Sequence, residues 1–375
     1  MRVAARAGHL LLAVALAATL AGCGDTDDKD PAADPGPSPS ASESPSNSSS
    51  GSPSESATTE PDGAVEPTTN LLDWSPIGQG AAKGIVHAGD DWSLTVDANG
   101  TSATLEGKDT TRIPAGKGRK IVDSFLTPST AVVVAQDQAE TRPQQVTLVD
   151  LASGKQSQLS DPPTGPGGPW AAYDDTVAYA SYKPGGDYCL ATFDLGSGSG
   201  EKGYCAPKRH GFSNLTLSPN GLSMMTFDDK RPVSCRTLVD VSGSEATPIE
   251  GVEECKGWEA VATTDGHVWS VVRKQSEVEV GDFHASSGGT TYDLGEGAAN
   301  SLLWCGDSAF FTRDADKGGK ARLLRWTPDA TLEIVYESPG KGEAFLGQPS
   351  CTGNVLTVSA YGEGGDEVVS ATVPE

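Results

Sequence analysis

The sequence predicts an all-β fold, a seven-bladed β-propeller of four-stranded blades, over residues 71–375. Helical periodicity is nearly absent there, and short runs rich in Val, Leu, Tyr, Phe and Thr alternate with Gly, Asp, Asn and Pro turns. Similar segments recur at about 45 residues, the length of one four-stranded blade. An apolar segment before the first repeat is left over and can complete the ring.

Each repeat is marked by a strand that ends at a Ser/Gly turn, as in VTLVD-LASG at 146–154 and LATFD-LGSG at 190–198. The residues that begin these turns are Glu106, Asp150, Asp194, Asp240, Asp282, Thr327 and Thr372. Their spacings are 44, 44, 46, 42, 45 and 45 residues, which gives seven units. Comparable inner strands begin at Trp170, Trp258 and Trp304, and we expect these rings to pack between blades.

The N-terminal part of this domain is predicted to close the ring. The seventh unit ends at residues 373–375, directly after its third strand, so its fourth strand is missing. The segment NLLDWSPIG at 70–78 belongs to no unit, and its apolar residues are Leu71, Leu72, Trp74 and Ile77. We expect this segment to supply the outer strand of the last blade, because an unpaired edge strand invites aggregation.

Residues 1–22 predict a lipoprotein signal peptide. Arg2 and Arg6 precede an apolar run at 10–20 that is too short to span a membrane. The next residues, Leu20-Ala21-Gly22-Cys23, resemble the lipobox of bacterial lipoproteins. That resemblance implies that the thiol of Cys23 receives a diacylglyceryl group and that cleavage leaves Cys23 as the lipidated N-terminus. Acyl chains such as palmitate would then anchor the protein to the outer face of the bacterial cell membrane.

Residues 23–70 are predicted to form a disordered, acidic linker. Residues 24–70 contain 11 Ser and 8 Pro, with ten Asp or Glu against one Lys. Such a segment cannot bury enough apolar surface to offset the entropy of ordering it. We expect it to tether the propeller away from the membrane, and O-glycosylation of its Ser and Thr residues would be compatible with that role.

Six cysteines follow Cys23, an even number that indicates three disulfides in an exported protein. The repeat frame predicts the pairs Cys189–Cys205, Cys235–Cys255 and Cys305–Cys351. The first two pairs lie within single units, and the third would join matching positions of neighbouring blades. There is no C-x-x-C and no clustered Cys/His spacing, so we expect no metal site.

The composition argues against several functions. The formal net charge is −24. Removing the signal peptide takes away two Arg and gives −26, of which the linker carries −9, so residues 71–375 carry −17. An acidic domain with no basic stripe argues against nucleic-acid binding. G-x-S-x-G, H-E-x-x-H and Walker motifs are absent, and the G-x-G-x-x-G at 198–203 falls in a predicted hairpin. We therefore expect no cofactor and name no catalytic residue.

Charged side chains gather in the connections between second and third strands. In a propeller these connections lie on the same face as the links between blades, around the mouth of the channel. We predict a binding face there, because functional residues concentrate on loops held by a rigid scaffold. The candidate residues are Arg142, Lys183, Asp187, Asp229, Lys230, Arg231, Arg273, Lys274, Arg313, Asp314, Asp316 and Asp366.

The repeats lack the Gly-His and Trp-Asp signatures of WD40 proteins. They resemble instead the degenerate propellers of bacterial envelope proteins, the TolB-like and quinoprotein-like groups, a fold-level resemblance that transfers no activity. We expect a lipid-anchored binding or scaffold module with a protein, small-molecule or glycan ligand. The alternatives are a propeller-type enzyme, such as a carbohydrate-active hydrolase or lyase, and a sensor or accessory subunit of an envelope complex. An enzyme should bring two or three carboxylates, or His with a carboxylate, to the channel.

Overall fold

The structure, a computed structural model, describes residues 63–77, 84–182, 186–230, 234–274, 277–315, 319–340, 342–363 and 365–374. These ranges contain 30 β-strands and no helix, and hence no helix that could cross a membrane. The predicted signal peptide, Cys23 and the linker up to residue 62 lie outside the described residues.

The strands form seven sheets, which are the seven predicted blades. Two short strands precede the blades, β1 (Thr68–Thr69) and β2 (Ser75–Pro76). Blades one and two comprise β3 (Gly84–Ala88), β4 (Ser93–Asp97), β5 (Ser102–Glu106), β6 (Thr110–Pro114), β7 (Arg119–Leu126), β8 (Thr130–Asp137), β9 (Gln145–Asp150) and β10 (Gln156–Gln158). Blades three and four comprise β11 (Trp170–Tyr173), β12 (Thr176–Tyr182), β13 (Tyr188–Asp194), β14 (Ser199–Cys205), β15 (His210–Ser218), β16 (Gly221–Asp228), β17 (Arg236–Ser242) and β18 (Glu245–Pro248). Blades five and six comprise β19 (Gly257–Thr263), β20 (Gly266–Val271), β21 (Val280–Ser287), β22 (Thr290–Ala298), β23 (Leu303–Cys305), β24 (Ser308–Arg313), β25 (Arg322–Trp326) and β26 (Leu332–Glu337). Blade seven comprises β27 (Phe345–Leu346), β28 (Ser350–Thr352), β29 (Val355–Tyr361) and β30 (Glu367–Thr372).

Within each blade the strands lie side by side in chain order and are antiparallel. The first strand is therefore the inner strand, next to the central channel, and the last is at the outer edge. Blade seven departs from this plan. Its inner strand is split into β27 and β28, which both pair with β29 and flank residues 347–349.

The hydrophobic core consists of layers between neighbouring blades. One layer packs Leu94 and Leu105 of blade one against Val133 and Val149 of blade two, and similar layers join the later blades. Because the middle strands are covered on both faces, they can carry continuous apolar runs, and every residue of β8 is buried. Among the predicted inner-strand rings, those of Trp170 and Trp304 are buried in these layers.

The repeat is misplaced in blades four and five. In blade four, Asp240 does not begin the turn, because β17 continues to Ser242 and the turn comes at 243–244. Asp150 and Asp194 end β9 and β13 as predicted, and their carboxylates accept the N–H of the residue three positions later. Asp282, in contrast, lies near the start of β21, and the turn comes at 288–289, where both glycines have positive φ. The prediction that Asp282 begins a turn is therefore wrong, because this carboxylate instead binds Arg273 in the loop before β21.

The ring closes as predicted with a strand from the N-terminus. β2 pairs with β30 in an antiparallel arrangement, with Ser75 opposite Ser370, and the N–H of Ile77 donates to the carbonyl of Val368 at 2.8 Å. β2 is thus the outer strand of blade seven, and the last sheet edge is covered. Of the four predicted apolar side chains, Leu72 and Trp74 pack against the core, whereas Leu71 is 53% exposed.

The N-terminal segment covers more of the propeller than the sequence predicts. Ala64 forms a parallel bridge with Asp293 at the edge of blade five, and β1 runs parallel to β26 at the edge of blade six. Residues 64–70 therefore belong to the propeller and not to the linker in which the sequence placed them. Their backbone groups are bound because the outer strands of blades five and six offer unpaired hydrogen-bonding groups.

The three disulfides are confirmed: Cys189–Cys205, Cys235–Cys255 and Cys305–Cys351. The first joins directly opposite residues of β13 and β14. The third joins the inner strands of blades six and seven, β23 and β28, beside the channel. It closes the longest loop, with a sequence separation of 46 residues. Each bridge is expected to contribute about 2–4 kcal/mol.

Candidate functional site

The predicted binding face is built from loops whose charges are largely paired within or beside the same loop. Lys183, Arg231 and Asp316 lie outside the described residues. In the loop after β8, the guanidinium of Arg142 lies 3.7 Å from the buried carboxylate of Asp137. Asp137 also accepts the main-chain N–H of Arg142 at 3.1 Å. Arg142 and Asp137 therefore fix the shape of this loop.

Blade four shows the same arrangement. Lys230 lies 3.0 Å from Asp228, and Asp229 accepts a hydrogen bond from Arg209 at 2.7 Å. Surface ion pairs of this kind contribute about 0–1 kcal/mol, so their main effect is to orient the loop.

On blade five, Arg273 donates to Asp282 at 2.5 Å, and Lys274 lies 3.0 Å from Glu277. Arg313, at the end of β24, reaches back to blade five and donates to the carbonyls of Leu294 and Glu296, each at 2.7 Å. Each of these three basic side chains is therefore bound to an acceptor within the protein.

The remaining candidates are acids. Burial raises the pKa of Asp314, although an N–H from Leu346 opposes this effect. Asp366 accepts the N–H of Gly362 at 3.3 Å, and Asp187 is exposed. The described parts of the loop face thus do not gather their nine candidate residues into one site.

The central channel is the better candidate site. It encloses a cavity of about 270 Å³ that is lined by residues from six of the seven blades, all except blade five. Residues 347–349, which interrupt the inner strand of blade seven, lie in this wall. The aromatic side chains of the lining are Phe125, Trp170, Tyr173, Trp304 and Tyr361.

Two large apolar side chains are exposed at the loop-face ends of inner strands. Ile85 and Phe345 lie at the ends of their inner strands nearest that face, and both are 49% exposed. The ring of Phe345 stacks on that of Tyr361, with centroids 4.9 Å apart. Large apolar side chains that remain exposed often mark a site of contact.

Two buried polar side chains meet in the channel wall. Nε2 of His87, on β3, lies 2.9 Å from the hydroxyl oxygen of Ser124, on β7. Burial lowers the pKa of His87 to about 4, so the imidazole is neutral at pH 7. This pair links blades one and two and adds no charge to the channel.

Asp123 is the most unusual group in the lining. Its carboxylate has one hydrogen bond within the described protein, from the N–H of Ser124 at 2.9 Å. Asp123 is partly buried, and protein atoms replace most of the solvent around its carboxylate, so this desolvation raises its pKa to about 7. Part of the population therefore carries an unpaired negative charge at neutral pH.

A β-bulge places Asp123 in the wall. The register of β7 against β8 shifts between Ile121 and Asp123, so Val122 is the extra residue, and its side chain is 50% exposed. Bulges redirect the side chains that follow them, and they are frequent beside functional sites. The same shift occurs in β19 just before Glu259.

The lining is acidic or neutral. Among its described residues none is Lys or Arg, and the only carboxylates are those of Asp123 and Asp174. Asp174 is exposed in the turn after β11, at the other end of that strand from the loop face. In the part of the chain that the structure describes, no three His, Cys, Asp or Glu residues are grouped to hold a metal ion. This chemistry suits a neutral or positively charged molecule with apolar surface and disfavours an anion.

Sequence reasoning missed the channel residues Asp123, His87 and Ser124. The sequence does contain a signal for Asp123. The stretch KIVDSFL carries this single acid inside an otherwise apolar inner strand, and KGWEAVA carries Glu259 in the same way. A charge in a strand that should be buried on both faces needs a partner or a cavity.

No protein-family model and no curated protein matches this chain. The β-propeller domain of the trilobed protease from Pyrococcus furiosus is 9% identical, with a TM-score of 0.55; the match covers 78% of this chain and 96% of that chain. TolB from Acinetobacter baumannii is 14% identical, with a TM-score of 0.38, over 77% of this chain and 79% of that chain. Acylaminoacyl peptidase from Pyrococcus horikoshii is 8% identical, with a TM-score of 0.49, over 82% of this chain and 53% of that chain. The first similarity supports the propeller fold, and similarities at these identities transfer no activity.

Proposed function

We propose that the protein is a lipid-anchored, extracytoplasmic binding module of the bacterial cell envelope, and that its central channel takes up a small ligand. The observation that carries the proposal is the composition of the channel wall. Small-molecule sites combine apolar and aromatic walls with a few placed polar groups. The channel has five aromatic side chains in its lining and one desolvated carboxylate, Asp123, whose single hydrogen bond within the described residues comes from the N–H of Ser124.

Two observations support the location. The lipobox-like Leu20-Ala21-Gly22-Cys23 follows a short apolar run, and three disulfides join the remaining six cysteines. Disulfides persist in oxidising compartments outside the bacterial cytoplasm. The loop face remains available for a protein partner or a glycan, so a role as a scaffold or accessory subunit is compatible with the channel site.

The proposal is tested by blocking the channel. Gly347 lines the cavity, and a Cβ added there would lie 3.5 Å from Ser359 and Tyr361, so a larger side chain can point into the space. Gly347→Leu should abolish binding of small neutral and cationic fragments detected by ligand-observed NMR. The matched control is Gly196→Leu in the exposed turn after β13, where a Cβ would meet only Asp194 at 3.5 Å. Equal binding by both variants would refute a channel site.

An enzymatic role is the second candidate, and the raised pKa of Asp123 favours it. A carboxyl group that titrates near pH 7 suits general acid–base catalysis. A glycoside hydrolase of the usual kind needs two carboxylates, and Asp174 is the other described acid in the lining. If the protein hydrolyses chromogenic glycosides, Asp123→Asn should reduce kcat at least a hundredfold; turnover that survives this change would exclude Asp123 as the acid.

A further inference from the structure

We infer that the channel ligand is an organic cation, a molecule with a protonated amine beside an apolar body, and that its ammonium group binds the carboxylate of Asp123. This inference rests on the proposed function, because it specifies the ligand of the same channel. It is drawn from a comparison of the hydrogen bonds of Asp123 with those of Glu259, the equivalent residue of blade five.

Glu259 shows what an acid after this bulge does when its role is structural. Its carboxylate accepts the N–H of Asn300 at 3.0 Å and of Leu302 at 3.1 Å, and the hydroxyl of Ser270 at 3.2 Å. Asn300 lies three residues before β23, the inner strand of blade six. Glu259 therefore fastens blade five to blade six, and both of its oxygens are satisfied.

Asp123 is not needed for the corresponding joint between blades two and three. Gly167 lies three residues before β11, the position that corresponds to Asn300, and its N–H donates to the side-chain oxygen of Gln136 at 3.0 Å. Gln136 is 3% exposed and sits on β8, so a neutral amide makes the contact that Glu259 makes in blade five. The carboxylate of Asp123 is thereby left to face the cavity.

An unpaired carboxylate in this position is unfavourable in the free protein. Removing an ionised group from water without supplying a partner raises its free energy, and buried acids are therefore normally paired or hydrogen-bonded. The buried acids Asp137 and Asp228 each have a cation nearby as well as main-chain donors. Within the described residues, Asp123 has one neighbouring N–H and no ion pair. A cation bound in the channel would therefore stabilise the charged form of Asp123, which otherwise is relieved only by protonation or solvent.

The other lining groups point to an organic ammonium as that partner. His87 is neutral because of its burial, and none of the described lining residues is basic. Of the five aromatic residues in the lining, Phe125, Tyr173 and Tyr361 are only partly buried, and an aromatic face attracts an ammonium through its quadrupole and also contacts the apolar body that carries it. The volume of about 270 Å³ is close to the lower end of ordinary small-molecule pockets, which are roughly 300–1,000 Å³. A compact amine with one ring matches this size and chemistry.

Three probes that share one body but differ in charge test the inference: 2-phenylethylamine, 2-phenylethanol and phenylacetate. Their dissociation constants are measured by ligand-observed NMR at pH 8, where Asp123 is mostly ionised and the amine is protonated. We expect the amine to bind about 10–100-fold more tightly than the alcohol, since hydrogen bonds to charged groups are worth this much, and the anion to bind most weakly. Asp123→Asn, which keeps the size of the side chain and the acceptor for Ser124, should remove the preference for the amine and retain binding of the alcohol.

Asp174→Asn is the matched control, because Asp174 is the other lining carboxylate and is exposed. It should leave the preference for the amine intact, and thermal melts of both variants verify that they fold. If the alcohol binds but the amine has no advantage, or if Asp123→Asn keeps that advantage, the cation inference is overturned while the channel remains a binding site. If Gly347→Leu leaves the binding of all three probes unchanged, or none of them binds, the proposed channel site fails as well.

Discussion

The indole N–H of Trp74 donates to the main-chain carbonyl of Val335 at 2.7 Å, across a sequence separation of 261 residues. The ring also packs edge-on against Tyr336, with centroids 5.1 Å apart. Trp74 directly precedes Ser75, the first residue of the closing strand β2, so these contacts fix the chain where β2 begins. Closure of the propeller therefore depends on a side-chain anchor as well as on the pairing of β2 with β30.

Trp74→Ala should destabilise the protein by about 3–4 kcal/mol, because the substitution removes a large packed ring and one hydrogen bond. The neighbouring Leu71 is 53% exposed, so Leu71→Ala should change stability by less than about 0.5 kcal/mol. Urea unfolding of both variants measures the difference. If the two substitutions have the same effect, the segment 70–77 does not hold the ring closed.

Glu259 should make the protein less stable as the pH rises from about 5 to 8. Burial raises its pKa in the folded protein from the ordinary 4.5 to about 7, although hydrogen bonds from Leu302, Ser270 and Asn300 oppose this rise. The folded state therefore holds this proton more tightly than the unfolded state, and the resulting stabilisation is present below pH 4.5 and lost as the pH rises through 7. The difference corresponds to about 3 kcal/mol over the whole window.

Glu259→Gln is the variant that tests this pH dependence. The free energy of unfolding of the natural protein, relative to that of the variant, should fall by about 2–3 kcal/mol between pH 5 and 8. Using the difference removes the contribution of Asp123, which titrates in the same range in both proteins. A constant difference across this range would show that Glu259 remains ionised throughout.

Arg236→Met should stabilise the protein by about 1–2 kcal/mol. Arg236 is 6% exposed; its Nη2 donates to the carbonyl of Val272 at 3.2 Å, whereas Nε and Nη1 have no hydrogen-bond partner in the described structure. It lies 5.2 Å from the ring centroid of Trp258, and burial lowers its pKa. Burying a charge costs desolvation free energy, and no ion pair within the described structure offsets this cost for Arg236. Replacing it with an apolar side chain of similar length removes that cost.

Arg209→Met is the control for Arg236→Met, because Arg209 is exposed and paired with Asp229. It should change stability by less than about 0.5 kcal/mol. Thermal denaturation of both variants gives the comparison. A loss of stability in Arg236→Met larger than that in Arg209→Met would mean that stacking on Trp258 outweighs the cost of the buried charge.

Cys23→Ser should release the protein from the membrane fraction or leave it unprocessed. Cys23 lies outside the described residues, and the six later cysteines are all paired, so Cys23 is the one available for lipidation. Fractionation and the intact mass of the mature protein measure the effect. A variant that stays in the membrane fraction with an otherwise unchanged mature mass would contradict the lipoprotein proposal.

The blade count, the closing strand and the disulfides could be predicted from the sequence because each follows from a period of about 45 residues. The error at Asp282 shows the limit of that method: an Asp in a β-rich run marks a turn when its carboxylate binds the next N–H groups, but it can equally bind an Arg across a loop. Only the three-dimensional contacts distinguish these two uses.

The candidate site was harder to predict. Its residues come from six inner strands that are far apart in the chain, and the direction of a side chain after a bulge cannot be read from local composition. KIVDSFL and KGWEAVA look alike as sequences. Gln136 accounts for the different roles of the two acids. Its side chain accepts the N–H of Gly167 and so links blades two and three, which leaves Asp123 facing the cavity. In blade five, Glu259 itself accepts the equivalent N–H, that of Asn300.

The path of the N-terminal segment along blades five, six and seven determines how the domain responds to mechanical force. A pull applied to the chain before residue 63 first loads the bridge at Ala64, then the pairing of β1, then the anchor of Trp74, and only afterwards the closing strand β2. We expect these contacts to be loaded one after another, because they follow one another along the chain before β2. We therefore expect tension in the preceding chain to reach the closing strand β2 only after the contacts of residues 64–74 have yielded.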